Sequence, residues 1–85
     1  MPPSERREKM ISIMRWLDAC SKAKKSPRPL ETKRYIELEI GEMGSTPRTI
    51  QKYLDRLKIH GLIKLHMGRI VVTTKGKTWL SLHTQ

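Results

Sequence analysis

The chain has no phenylalanine, no asparagine and only one cysteine, and its second half has only one acidic residue. A lone cysteine excludes an intrachain disulfide framework. With two tryptophans and two tyrosines as the only aromatics, there are few platforms on which unstacked RNA bases could lie. No apolar run is long enough for a membrane span, and the N-terminus lacks the pattern of a signal peptide. A cytoplasmic protein is expected, with no membrane partner. There is no glycine-rich loop to cradle a phosphate, no carboxylate pair in suitable surroundings, and no nucleophile beside a base. Cys20, His60, His66 and His83 are scattered and lack metal-ligand spacing. The expectation is therefore no enzyme, no cofactor, no metal and no small-molecule ligand.

What is abundant is positive charge. The 85 residues carry a net +10, and the excess is uneven. Residues 1–42 hold ten Lys/Arg against seven Asp/Glu, a net +3; residues 43–85 hold eight against Asp55 alone, a net +7. A polyanionic partner for the second half is the natural inference. A chain this short makes one domain with a modest core and little room to enclose a substrate.

The second half is the more legible. From Gly44 to Gly61 it reads as one helix, over 46–60, with both ends marked. Thr46 suits the N-cap, Pro47 the first helical position, and Gly61 the left-handed residue past the last turn. Ile50, Leu54 and Leu57 form an apolar stripe, and Arg48, Gln51, Lys52, Asp55 and Arg56 point away from it. Residues 62–73 then read as a hairpin. Pairing Leu65 with Ile70 and Ile63 with Val72 puts all four on one face. Met67 would need positive φ in a two-residue turn, so a four-residue tip from His66 to Arg69 is expected. A last helix over 74–83, capped by Thr73 or Thr74, carries Trp79, Leu80 and Leu82.

In the first half, residues 1–4 read as a tail ending at a possible cap, Ser4, and a first helix covers 5–23. Its core stripe is Met10, Ile13, Met14 and Leu17. Trp16, Cys20 and Ala23 widen the apolar arc beyond what one small core needs. A homodimer contact through Ile13, Trp16, Cys20, Trp79 and Leu82 is one reading; simple cover for the core edge is the other. Residues 24–31 form a basic connector with two prolines, which must end the first helix. Ile36 to Ile40 alternates like a strand, yet Ile36, Ile40 and Met43 have helical spacing. A helix over 32–43 is chosen, which leaves Leu38 off the core face.

The ordered set Gly44-Ser45-Thr46-Pro47-Arg48-Thr49-Ile50, Tyr53-Leu54, Leu57, Gly61-Leu62-Ile63, a hairpin, and Thr73-Thr74-Lys75-Gly76 resembles the winged helix-turn-helix family of DNA-binding domains. The likeness runs from about Thr32 to Leu82. It departs from the family at Ser45, where an aliphatic residue is usual, and Met43 is positioned to fill that space. The resemblance implies an α+β, mostly α fold: a three-helix core, a two-stranded wing and a C-terminal helix. It also implies a short strand around Arg28 to Leu30 beside the hairpin, confined to an edge by Pro29. The function implied is sequence-specific binding of double-stranded DNA by a small prokaryotic-type transcriptional regulator, cytoplasmic and nucleoid-associated, with helix 46–60 in the major groove. Carried over by position, Thr46, Arg48, Thr49, Lys52 and Tyr53 would meet bases and phosphates, and Arg56 the backbone. Arg48 is the candidate for a guanine contact and Gln51 for an adenine. Lys64, His66 and Arg69 would act from the wing, with Lys75 and Lys77 flanking the duplex. A nonspecific architectural or replication-associated DNA protein, an RNA binder and a protein-interaction winged helix are the rival readings.

Overall fold

The computed structural model describes residues 3–41 and 46–83. The turn around Gly44, the end of the expected second helix at Glu42 and Met43, and Ser45 lie outside them. The described elements run α1 (Pro3–Lys22), α2 (Pro29–Ile40), α3 (Pro47–Ile59), β1 (Ile63–His66), β2 (Arg69–Val72) and α4 (Thr74–His83). The fold is α+β and mostly α, with four helices and one antiparallel hairpin among the described residues.

α1 is the central element and packs against α2, α4 and β2. That explains its wide apolar arc. Ile13, Met14 and Leu17 are all buried within the one chain, and Ile13 is 0 % exposed. The helix is already under way at Pro3, so Ser4 lies inside the first turn rather than capping it. It ends without help from the prolines. The N–H of Lys24 bonds to Ser21 O and that of Lys25 to Cys20 O, both across a left-handed Lys24 at φ 57. This is the paired-bond helix ending that glycine usually occupies.

α2 starts at Pro29, three residues earlier than expected. Pro29 falls in the first turn, where no backbone donor is needed, and Thr32 N–H bonds to Arg28 O at 3.0 Å. Of the edge strand expected around Arg28 to Leu30, Pro29 and Leu30 are therefore helix, and Arg28 keeps an extended backbone as the N-cap of α2. What remains of its ladder is one bond, from Ile70 N–H to Pro27 O at 2.8 Å. The stretch Ile36 to Ile40 is helical: Ile36 is fully buried and Leu38 is 81 % exposed. Lys9 Nζ donates to Glu39 O at 2.7 Å and so supplies from α1 the cation missing from the last turn of α2.

The hairpin has the expected register, Ile63 opposite Val72 and Leu65 opposite Ile70. Ile63, Ile70 and Val72 are buried, but Leu65 is 51 % exposed, because β1 is the outer strand and its tip runs beyond the helices. The turn corrects the expectation. His66 pairs with Arg69, which leaves a two-residue loop with Met67 at φ 53 and Gly68 at φ 77. Both central residues are thus left-handed, as the twist of the flanking strands favours. Three buried side chains and the Pro27 bond hold the register. Met67 accepts the conformation at a cost of about 1–2 kcal/mol.

α4 is tied to the end of α3. Thr73 caps it, accepting from Gly76 N–H at 2.9 Å, while its own hydroxyl donates to Gly61 O. Gly76 lies against the chain at Leu62: a Cβ there would stand 2.1 Å from the Leu62 carbonyl oxygen. The core gathers α1, α2, α3, the hairpin and Leu80, with Trp16, Tyr35 and Trp79 packed at its edges.

Candidate nucleic-acid interface

α3 is held at both ends by the residues that mark it in the sequence. Thr46 Oγ1 accepts from Thr49 N–H at 3.2 Å and lies 2.9 Å from Thr49 Oγ1. At the other end Gly61, at φ 72, carries a paired-bond ending: Gly61 N–H to Lys58 O and Leu62 N–H to Leu57 O, each 3.0 Å. Ile50, Leu54 and Leu57 anchor the helix in the core; burying a side chain such as Leu57 contributes about 1.5–3 kcal/mol. The outward face then follows from the helical period. Arg48, Lys52 and Asp55 are exposed, and Thr49, Gln51 and Arg56 are half-buried.

Two expected interface residues behave differently. Tyr53 is 6 % exposed and belongs to the core, so it leaves the outward face. It sits three residues after Ile50 and four before Leu57, and so shares their buried side. Gln51 donates its side-chain amide to Asp55 Oδ1 at 2.7 Å, which couples the candidate adenine reader to the one acid of the helix.

On the hairpin, Lys64 and His66 are exposed on β1. Arg69 folds back toward the α1–α2 connector, donating from Nη1 to Ser26 O at 2.8 Å, and lines a cleft of about 590 Å³ with Lys24, Lys25 and Glu31. The structure thus joins Arg69 to the connector cations rather than to Arg48. Lys75 and Lys77 also separate. Lys75 shares a cleft with Arg56, whereas Lys77 lies beside Asp18 and Lys22.

The dimer strip expected from the sequence does not form one surface. Ile13 is interior. Trp16 is half-buried and stacked on Tyr35 of α2, with ring centroids 4.4 Å apart and planes 4° apart. Trp79 is half-buried among other residues, beside Arg6, Arg7 and Met10. Cys20 is half-buried and Leu82 is 70 % exposed. Burial, and then the charge of Glu31, pushes the Cys20 thiol above its ordinary value. Burial also raises the Tyr35 hydroxyl, reinforced by the charge of Glu39 and a hydrogen bond to it.

Among the described residues, no group of three or more His, Cys, Asp and Glu gathers closely enough to hold a metal ion, and no helix is long and apolar enough to cross a membrane. Arg6, Arg7 and His60 are basic residues beside Arg56 that the sequence reading missed. The available signal was the spacing of Arg56 with His60, and of Lys75 with Trp79 and His83, four residues apart on helices. Comparison of the chain with protein-family models, with curated proteins and with solved structures finds no match.

Proposed function

We propose that the chain is a winged helix-turn-helix protein that binds double-stranded DNA, with α3 entering the major groove, and that it acts as a transcriptional regulator. The observation that carries this reading is the N-terminal half of α3. It is capped by Thr46, has no acid in its first turn, and presents Arg48 and Lys52 exposed on the side opposite a buried aliphatic stripe. A rigid helix of this kind can place a guanidinium against guanine O6 and N7. Lys52 and Arg56 neutralise phosphates, which supplies affinity with little sequence information. Lys64 and His66 extend the contact from the outer strand of the hairpin.

The bond from Gln51 to Asp55 favours a second reading, a DNA protein with little base selectivity, because it occupies the amide that would read adenine. Anisotropy of a labelled random duplex, titrated at several salt concentrations, tests the common part: binding is expected to weaken steeply as salt rises. Absence of binding at low salt would remove both readings. Selection from a random library separates them. Arg48→Ala is expected to relax one position of the selected site, at a cost of about 1–3 kcal/mol there. A uniform loss across sequences would make Arg48 a phosphate contact. A two-fold assembly belongs to the regulator reading and rests on exposed Leu82. Sedimentation of the wild type and of Leu82→Glu tests it: a dimer split by the variant supports it, and a monomer at every concentration removes it.

A further inference from the structure

A cleft of about 630 Å³ lies between α1, α3 and α4, at the end of α3 away from Thr46. Three helices each send one edge into it. Arg6 and Arg7 come from the start of α1, Arg56 from the end of α3 and His60 from its C-cap, and Lys75, Trp79 and His83 from one side of α4. Four formal cations and two imidazoles thus share the cleft, and no carboxylate is among its described lining residues. Among the described residues the one salt bridge joins Lys22 to Asp18, so none of the four cations is paired in that way.

The convergence of these charges does not stabilise the fold. Like charges brought together from separate elements repel one another, and the only gain to the fold here is the apolar cover that Met10, Leu62 and Trp79 give the core edge. The lining combines that apolar floor with convergent charged groups, and its volume falls within the range of about 300–1,000 Å³ usual for small-molecule sites. Guanidinium groups match phosphate oxygens two at a time. The half-buried indole of Trp79, with the His83 ring 4.5 Å away and tilted by 41°, offers an aromatic surface inside the ring of cations.

We propose that this cleft binds a nucleoside polyphosphate, with its phosphates held by Arg6, Arg7, Arg56 and Lys75 and its base against Trp79. The assignment does not depend on the DNA reading. Arg56 nevertheless belongs both to the cleft and to the cationic face of α3, so duplex is included as a probe. The test is a titration of the full 15N-labelled chain, followed by NMR, with ATP, with pyrophosphate and with a short random duplex.

ATP is expected to shift the Trp79 indole N–H and the His60 amide saturably, leave the Trp16 indole in place, and bind at least fivefold tighter than pyrophosphate. Arg7→Glu is expected to weaken ATP at least tenfold, and Lys75→Ala at least threefold. Arg34→Glu makes the same charge change as Arg7→Glu, but on α2, and is expected to leave the affinity within twofold. Equal affinity for pyrophosphate and ATP, or equal losses from Arg7→Glu and Arg34→Glu, would overturn the proposal, because the cleft would then merely collect anions. A duplex that shifts the Trp79 indole as strongly as ATP at the same phosphate concentration would also overturn it, and would assign the cleft to the DNA track.

Discussion

The two tryptophans occupy comparable positions in opposite surroundings. Both are half-buried side chains packed on the edge of one core. Trp16 is covered on one face by the chain itself: Tyr35 stacks flat on it, and Cys20 and the carboxylates of Glu31 and Glu39 belong to the same neighbourhood. Trp79 stands in an open cleft whose charged lining, among the described residues, is entirely basic. An aromatic residue at the edge of a small core is therefore not one kind of feature. Where neighbouring side chains pair with it and with one another, it reads as structure. Where like charges collect around it unpaired, the fold alone does not account for it.

That contrast can be broken from the backbone side first. Gly76→Ala would drive a Cβ into the Leu62 carbonyl that forms part of the wall beneath Trp79, and the obstruction is main chain rather than a flexible side chain. A loss of about 3 kcal/mol or more is expected by chemical denaturation, at the upper end of overpacking effects. A change below about 1 kcal/mol would mean that α4 slides freely on the hairpin root, and the cleft would then have no fixed shape. Next, Trp16→Ala is expected to cost about 2–3 kcal/mol, since it removes packing and a stacked partner, and Trp79→Ala about 1 kcal/mol. Equal losses would erase the distinction between the closed and the open site.

Two smaller effects sharpen it. The raised Tyr35 hydroxyl keeps its proton in the folded chain above its ordinary value of 10.0. Its contribution to stability is thus present below that value and is lost as pH rises through the folded one. Urea denaturation between pH 9 and 11 is expected to show a fall in stability that Tyr35→Phe reduces; an unchanged fall would place its cause elsewhere. Cys20, raised by burial and by Glu31, is expected to react with iodoacetamide at pH 8 several-fold more slowly than a free thiol, because the thiolate is the reactive form. A rate equal to that of the free thiol would show the Trp16 side to be open after all.

Much of the candidate site follows from short-range signals. Thr46, Pro47 and Gly61 mark α3 by the backbone conformations and hydrogen bonds those residues favour, and they occupy those roles. The hairpin register follows from period-two burial, and α4 spans the residues expected of it. The errors share a cause. The family resemblance places Tyr53 outward by position, yet its place in the helical period puts it with Ile50 and Leu57. Ile13 belongs to the core stripe of α1 and also borders the wider apolar strip that one reading gives to a dimer contact; the structure buries it entirely within the chain. In the fold α1 meets α2, α4 and β2, which buries Met10, Ile13, Met14 and Leu17 and leaves Ile11, Trp16 and Cys20 half-buried at the edges. Local sterics disfavour Met67 in a two-residue turn, but three buried hairpin residues and the Pro27 bond outweigh a local cost of about 1–2 kcal/mol.

The amino-acid sequence by itself determined the order of elements, most of their ends, the strand pairing and the concentration of positive charge in the second half. Each of these depends on residues a few positions apart, whose sterics and capping bonds act locally. Only the tertiary structure decided which apolar faces stay inside one chain, that Arg69 turns back onto Ser26, and that Arg6 and Arg7 meet Arg56 and Lys75 around Trp79. Arg69 lies 43 positions after Ser26, and Arg6 and Arg7 lie some fifty to seventy positions before Arg56 and Lys75. No periodicity links them, and it is the packing of α1 and α4 on one core that brings their charges together.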